Sequence, residues 1–431
     1  MKFAVQKQNN QRGSALVVTL FITASLLIGI ASYLLLVRAQ YVSVVRSQAW
    51  NASMTMAEAG VEEALAQLNP GALATTIQVD RTANGWGPSS GGFYGPMSRT
   101  VTNNGSYSVI YSDERWPTIY ATGYVTLPDI SAKLSRTVCV LTTNVPLFNV
   151  SLAARTNIDM SGNGVSADSF NSSDPNLSTN GLYTSSKAGT NGDIAVLYGS
   201  LKLGNHNVEG DVFLGPTASL NGGTNQVSGN IHTDYNYDFP DVAAPNSSGW
   251  FAPGLGIVGL LGALVSAIDG NSYTYVFNTS GDYTIANLSG SIYVATNAHV
   301  RLLVQNGSID KVVIAGSGNN AGNLTMYVSA SSFTFTGGTV NFPGRAANFA
   351  YYGLPGNTTI NLSGNANFTG TLYAPDAALT LSGGGSNNYD FTGSCIAKSV
   401  TFNGHFMFHF DEDLLNASAS RGYFAVHWSE I

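Results

Sequence analysis

The chain has 431 residues, enough for two or three domains, with a formal net charge of -7 and only 10% charged side chains. That charge gives no electrostatic case for nucleic acid as a partner. Low charge does not mean disorder, because aromatics make up 11% of the chain and β-branched residues abound.

The first recognisable element is an apolar run from Gly13 to Val37, preceded by Lys2, Lys7 and Arg12 and closed by Arg38. About 24 helical residues cover roughly 36 Å, enough to cross a bilayer core. The basic residues before it place the amino terminus on the cytoplasmic side. A secretory signal peptide shares this order, but no small-x-small cleavage site followed by a break in composition appears. Instead Trp50, Met54, Ala57, Val61, Leu65 and Leu68 recur at spacings of three and four, and Asn69-Pro70-Gly71 ends the pattern. One continuous helix is expected from Arg12 to Leu68, apolar all round in its first half and amphipathic in its second.

This segment resembles the type IV pilin-like proteins, and within them the PilX-like minor pilins. The residues that carry the resemblance are Gln11-Arg12-Gly13 followed by Ser14-Ala15-Leu16-Val17-Val18, and Ala57-Glu58-Ala59-Gly60-Val61-Glu62 near the helix end. It covers roughly residues 8 to 70. It implies cleavage by a prepilin peptidase after Gly13, so that residues 1–13 are a leader and the mature chain starts at Ser14. It also implies residence in the inner membrane as a single span, with the bulk of the chain periplasmic, and later packing against other pilin-like subunits. Major pilins carry a glutamate five residues after the cut, where this chain has Val18. A buried unpaired charge is costly, so a subunit without that carboxylate suits a filament tip. A plain membrane anchor is the alternative.

Residues 70 to 96 are rich in Gly, Ser, Asn and Pro and read as loop. Four strands are expected next, Ser98–Thr102, Ser106–Ser112, Thr118–Leu127 and Ala132–Thr143, with a hairpin at Asn103-Asn104-Gly105. Residues 70–147 thus read as an antiparallel head that buries the amphipathic stripe of the helix. Cys139 and Cys395 fall in different expected domains and read as two free, buried thiols.

From about Asn149 the texture changes to short apolar runs closed by Gly and Asn, as in Val208-Glu209-Gly210-Asp211-Val212 and Ile360-Asn361-Leu362-Ser363-Gly364-Asn365. Residues 148–413 read as an irregular parallel β-solenoid (a β-helix), with a β-sandwich as the alternative fold. The fold class is therefore α+β followed by all-β. Residues 240–270 interrupt the pattern, and Leu255 to Ile268 is too short for a second span. It is expected to be a loop with a buried turn of helix that caps or crosses the solenoid, or a patch for a partner. Residues 414–431 read as a tail. The stretches around Gly364–Pro375, Phe391–Val400 and Gly404–Glu412 resemble an uncharacterised β-rich domain found at the end of PilX-like surface proteins, which implies architecture and no activity.

The sequence contains neither an H-E-x-x-H nor a Cys/His zinc pattern, and Asp168, Asp211, Asp282 and Asp376 show no repeated paired spacing. The expectation is a non-enzymatic protein without a cofactor. One local constellation stands out. On a strand, His405, His409, Asp411 and Asp413 share one face and Phe406, Phe408 and Phe410 the other. Imidazole and carboxylate ligands suit a divalent metal, so His405, His409 and Asp411 are candidate ligands. The structural reading, in which the Phe face closes the core, is preferred. Two roles stay open at this stage: a filament subunit, or a surface adhesin whose exposed aromatics Tyr183, Trp250 and Tyr351 contact glycans or a neighbouring or host cell.

Overall fold

The computed structural model describes residues 12–69, 84–87, 90–114, 116–128, 132–162, 165–237, 239–254, 256–258, 268, 270–364, 367–383, 389–417 and 420–431. Residues 1–11 of the expected leader and most of the 255–268 stretch lie outside them. The chain divides into two compact units.

The first unit holds helix α1, Arg12–Leu68, unbroken over 57 residues. Its apolar half is bare, with Leu16, Leu27 and Leu35 each about two-thirds exposed or more. The hydroxyls of Thr19 and Thr23 donate back to the carbonyls of Leu16 and Thr19, 2.9 Å each. These two hydroxyls are thus satisfied within the helix, as a hydrocarbon surrounding requires.

The second half of α1 packs on a sheet ordered β1 (Phe93–Thr100), β2 (Gly105–Ser112), β3 (Thr118–Thr126) and β4 (Lys133–Pro146). The pairs β1–β2, β2–β3 and β3–β4 are antiparallel, and the expected Asn103-Asn104-Gly105 turn joins β1 to β2. The buried stripe of α1 is Ala49, Ser53, Ala57, Val61, Ala64 and Leu68, a line of mostly small side chains. The expected stripe shares Ala57, Val61 and Leu68 with it, whereas Trp50 sits at its edge, 46% exposed, with the Arg136 guanidinium over its ring. Small residues bring the helix backbone close to β3. A Cβ on Gly123 would lie 2.0 Å from the carbonyl oxygen of Ser53 and 2.4 Å from the amide nitrogen of Ala57. Only glycine fits there.

The expected tail is different. Leu414–Ala417 is a short helix, and Ser420–Glu430 is a strand that extends the sheet beside β4. The Arg136 Nε donates to Glu430 Oε1 at 2.6 Å, and the Ile431 amide donates to the Thr137 carbonyl. A sequence pattern cannot reveal such a pairing, because the strand's partner is almost 300 residues away.

The second unit is rich in short strands whose pairings with one another are parallel. They form three lines of stacked positions. One line runs Ile231, Val212, Ile194, Leu152, Cys395, Leu372, Tyr351, Met326, Leu302, Tyr283. A second runs Leu220, Leu201, Ile158, Val400, Leu379, Ile360, Phe333. The third passes through Val208, Ala167, Phe408, Phe391, Phe368 and Val340. Side chains from all three lines meet in one apolar core. In the third line Phe368, Phe391 and Phe408 stack face to face, with neighbouring ring centroids 4.5 Å apart.

The order of stacking departs from the order of the chain. The chain enters at Leu152 in the middle, climbs to Ile231 at one end, and crosses to the other end. It then returns from Tyr283 to Cys395, beside its starting point. The seam where the two halves meet pairs Leu152 with Cys395, Ile158 with Val400, and Ala167 with Phe408. The crossing segment runs along the outside of the first line. Phe239 is buried there, Tyr373 donates its hydroxyl to the Pro240 carbonyl at 2.7 Å, and Arg155 pairs with Asp241 and Asp376. Trp250 lies under Arg301, and Phe251 bridges to Tyr283. So the interruption near 240–270 crosses the ladder. Where a turn of helix was expected, Gly256–Val258 is a strand paired with Tyr275–Phe277.

The two thiols are not bonded to each other. Cys395 is buried and Cys139 is partly exposed, so the second departs from the expected burial. Burial pushes the Cys395 thiol far up from its ordinary value.

Candidate functional site

Alternation along the strand Phe406–Asp411 sends Phe406 and Phe408 into the core and His409 to the opposite face. Phe410, expected with the other two, packs instead in a separate cluster with Phe148, Tyr373 and Ile396. His409 faces outward yet is only 2% exposed, because a loop from Asn171 to Asn191 lies over it. Tyr183 on that loop stacks on the imidazole, with centroids 3.6 Å apart.

Both imidazole nitrogens are engaged. Nδ1 is 2.5 Å from Asp168 Oδ1 and Nε2 is 3.3 Å from Asp390 Oδ1. The Tyr183 hydroxyl donates to Asp168 Oδ2 at 2.7 Å. Two carboxylate acceptors require two N–H donors, which is the imidazolium form. Burial alone disfavours that charge, but the hydrogen bonds to Asp168 and Asp390 outweigh it and hold the His409 pKa above its ordinary value. Asp168 and His409 stand opposite each other across the seam, in register, so the ion pair ties the two halves of the ladder.

Asp411 is fully buried. Its Oδ1 accepts the amides of Ser172 at 2.9 Å and Asp413 at 3.2 Å. Its Oδ2 has no hydrogen-bond partner among the described residues. Burial, against those amide bonds, pushes its pKa up to about 6. The candidate metal set is not brought together: among the described residues no three His, Cys, Asp or Glu side chains form a group that could hold a metal ion. His405 is half-buried, and its backbone carbonyl accepts the Tyr389 amide. Gly13 and Ser14 lie in the first turn of α1.

The other acidic residues singled out from sequence have local partners. Asp211 accepts the Asn230 amide and faces His232; Asp282 holds Arg301 through two hydrogen bonds; Asp376 holds Arg155. Of the three aromatics expected at the surface, Tyr351 is a core residue with no exposure, and its hydroxyl donates to Asn357. Trp250 is half-covered by Arg301 and Tyr183 by the His409 contact.

Beside His409 a cleft of about 130 Å³ opens between Tyr183 and Leu182 on the loop and Phe342 and Gly344 on the facing turn. Asp390, Thr369 and Thr392 line its base. Thr369 pairs with Thr392, and Thr392 with His409, on successive strands. Asp390 was invisible as a site residue, because strand pairing and not sequence proximity brings it to His409; Tyr183 was singled out as a surface aromatic, but not as the ring that covers His409. The alternation Tyr389, Asp390, Phe391, Thr392 did mark an outward Asp and Thr.

A family model described as a domain of unknown function (DUF7305) matches residues 265–417. No curated protein matches the chain. Among solved structures, the crystal structure of the competence-associated pilin ComZ from Thermus thermophilus aligns over 89% of this chain and 98% of that one, at 12% identity. Its TM-score of 0.21 is too low to argue a shared fold.

Proposed function

We propose that this protein is a non-enzymatic envelope subunit of the type IV pilin-like kind, most simply a minor pilin or pseudopilin, anchored by α1 and displaying an irregular parallel β-solenoid. The observation that carries this reading is the divided character of α1. Its first half is apolar and bare, while its second half is buried on an antiparallel sheet. A free-standing soluble helix would not leave Leu16, Phe21, Leu27 and Leu35 exposed together; the inner membrane, or the helices of other pilin-like subunits, would cover them. The three parallel lines around a single core support the solenoid reading. Prepilin peptidase is the expected processing partner, cutting between Gly13 and Ser14, and Val18 at the glutamate position favours the filament tip.

Mass spectrometry of the chain recovered from membranes with an active prepilin peptidase tests this reading. The expected amino terminus is Ser14; an intact Met1 terminus contradicts it. A second role, as a surface adhesin for a glycan or a neighbouring cell, is favoured by one feature, the cleft beside Asp390 with its aromatic walls.

A further inference from the structure

We propose that the cleft between Tyr183 and Phe342 is a subsite for one neutral, hydroxyl-rich ring, a single sugar unit of a surface glycan. This rests on the binding role just described and gives it a site and a ligand class. The cleft's volume, about 130 Å³, is well under the roughly 300–1,000 Å³ of pockets that enclose drug-sized ligands. One ring fits, with the rest of a chain outside. Phe342 is 39% exposed and offers an apolar face for the C–H side of a sugar. Asp390 is a partly exposed carboxylate with acceptor capacity left after its one contact to His409. Neither Thr369 nor Thr392 donates a side-chain hydrogen bond within the described residues, so both hydroxyls are free to serve a ligand. Acceptor, hydroxyls and aromatic wall together match a ring with hydroxyls on its edge and C–H groups on its face.

The charges narrow the class. Asp390 is the one charged side chain among the residues lining the cleft. No lining residue is a cation that could meet a phosphate, a uronate or another acidic sugar, and the neighbouring cations are already engaged, His409 by Asp168 and Asp390 and Arg345 by the Ser172 carbonyl. An ammonium ligand would look to Asp390 for its counter-charge, but the His409 imidazolium already engages that carboxylate, which leaves less for a second cation to gain. His409 acts as a positioning residue: with Asp168 behind it and Tyr183 stacked on it, it fixes Asp390 at the cleft wall.

The test uses the full chain in a detergent without a sugar headgroup. Saturation-transfer NMR and calorimetry would be run against methyl glycosides of neutral hexoses, N-acetylhexosamines and uronic acids, and against choline. The variants are Asp390→Asn and Phe342→Ala, with Tyr198→Ala, an exposed aromatic outside the cleft, as control; thermal melts report folding. The expected result is binding of a neutral glycoside, weakened roughly tenfold or more by Asp390→Asn, the size that losing a charge-assisted hydrogen bond gives, weakened also by Phe342→Ala through the lost apolar face, and unchanged in Tyr198→Ala. Phe342→Ala keeps the test open if Asp390→Asn unfolds. Glycoside binding that both cleft variants leave intact would overturn the subsite while sparing the adhesin role. Binding of no glycoside would overturn both. Choline or uronate bound in place of neutral sugars, and lost in the same variants, would overturn the ligand class.

Discussion

The two units solve the same problem, burial of short strands, with opposite use of the chain. In the first, β1 to β4 pair in sequence order and bury the helix that precedes them. In the second, the strands paired at the seam come from opposite ends of the unit: Leu152 meets Cys395 and Ala167 meets Phe408. Local pairing costs little loop-closure entropy, while the seam closes a loop of well over 200 residues. The seam is tied by the Phe368–Phe391–Phe408 stack inside and, outside it, by the Asp168–His409–Asp390 ion pairs under Tyr183; the one long-range strand of the first sheet, Ser420–Glu430, is tied by the Arg136–Glu430 ion pair.

The largest expected effect is at that stack. Truncating Phe408 to Ala removes a buried ring from the seam and leaves a cavity, for about 3–5 kcal/mol. His405→Ala, at a half-buried position, should change stability by less than about 0.5 kcal/mol, and EDTA should not alter either melt. Equal losses in the two variants, or a melt lowered by EDTA, would restore the metal reading and break the contrast drawn here.

Gly123→Ala is the matching test in the first unit. Its Cβ would meet backbone atoms of Ser53 and Ala57, which cannot rotate away. Overpacking of this kind costs about 1–3 kcal/mol, and occasionally more. Because the contact is between helix and sheet, loss of near-ultraviolet signal from Trp50 and Trp86 should accompany it. A Gly123→Ala protein that melts like the parent would show that α1 does not pack on β3 as described.

A smaller effect is a pH dependence to which two groups at the seam contribute. The folded-state pKa values of both Asp411 and His409 are raised. A group so raised contributes stability that is fully present below its unfolded pKa and is lost as pH rises through its folded pKa. For Asp411 the loss falls between about pH 4 and pH 6; for His409 it begins above about pH 6.5. The second unit should therefore become less stable as pH rises from 4 to 8. Asp411→Asn keeps an acceptor for the Ser172 amide without the charge. It should stabilise the protein at pH 8 by roughly 2–3 kcal/mol and flatten the lower part of the profile. Thermal melts across this range decide it; an unchanged slope in Asp411→Asn would remove Asp411 from the account.

How much of this was legible in sequence follows from the range of each interaction. The bounds of α1 were readable, because Arg12 and Asn69-Pro70-Gly71 mark them locally. Of the five strands in the first sheet, β2 to β4 were readable from sequence and Asn103-Asn104-Gly105 from turn chemistry, whereas β1 begins at Phe93, inside the stretch read as loop, and Ser420–Glu430 was read as tail. The exact face of α1 was not: Trp50 looks like core by hydrophobicity, but a close helix–sheet approach buries Ala49, Ser53 and Ala64 instead, with Leu65 only partly buried at the edge of the core. Parallel pairing in the second unit was expected from its Gly- and Asn-closed short runs. Its stacking order was not, since nothing at Leu152 announces Cys395. The same reason hid the site. His409 was singled out, but its partners Asp168 and Asp390 come from two other strands, and nothing near His405 or Asp411 in the sequence announces them.

The claim that pairing at the seam makes the second unit one structure is tested most directly by hydrogen exchange on the Phe408→Ala protein, followed by mass spectrometry. If the seam joins the halves, peptides covering 152–170 and 389–411 lose protection together, although the substitution lies in only one of them. If 152–170 keeps its parental protection while 389–411 opens, the two halves are independent and the joined seam is contradicted.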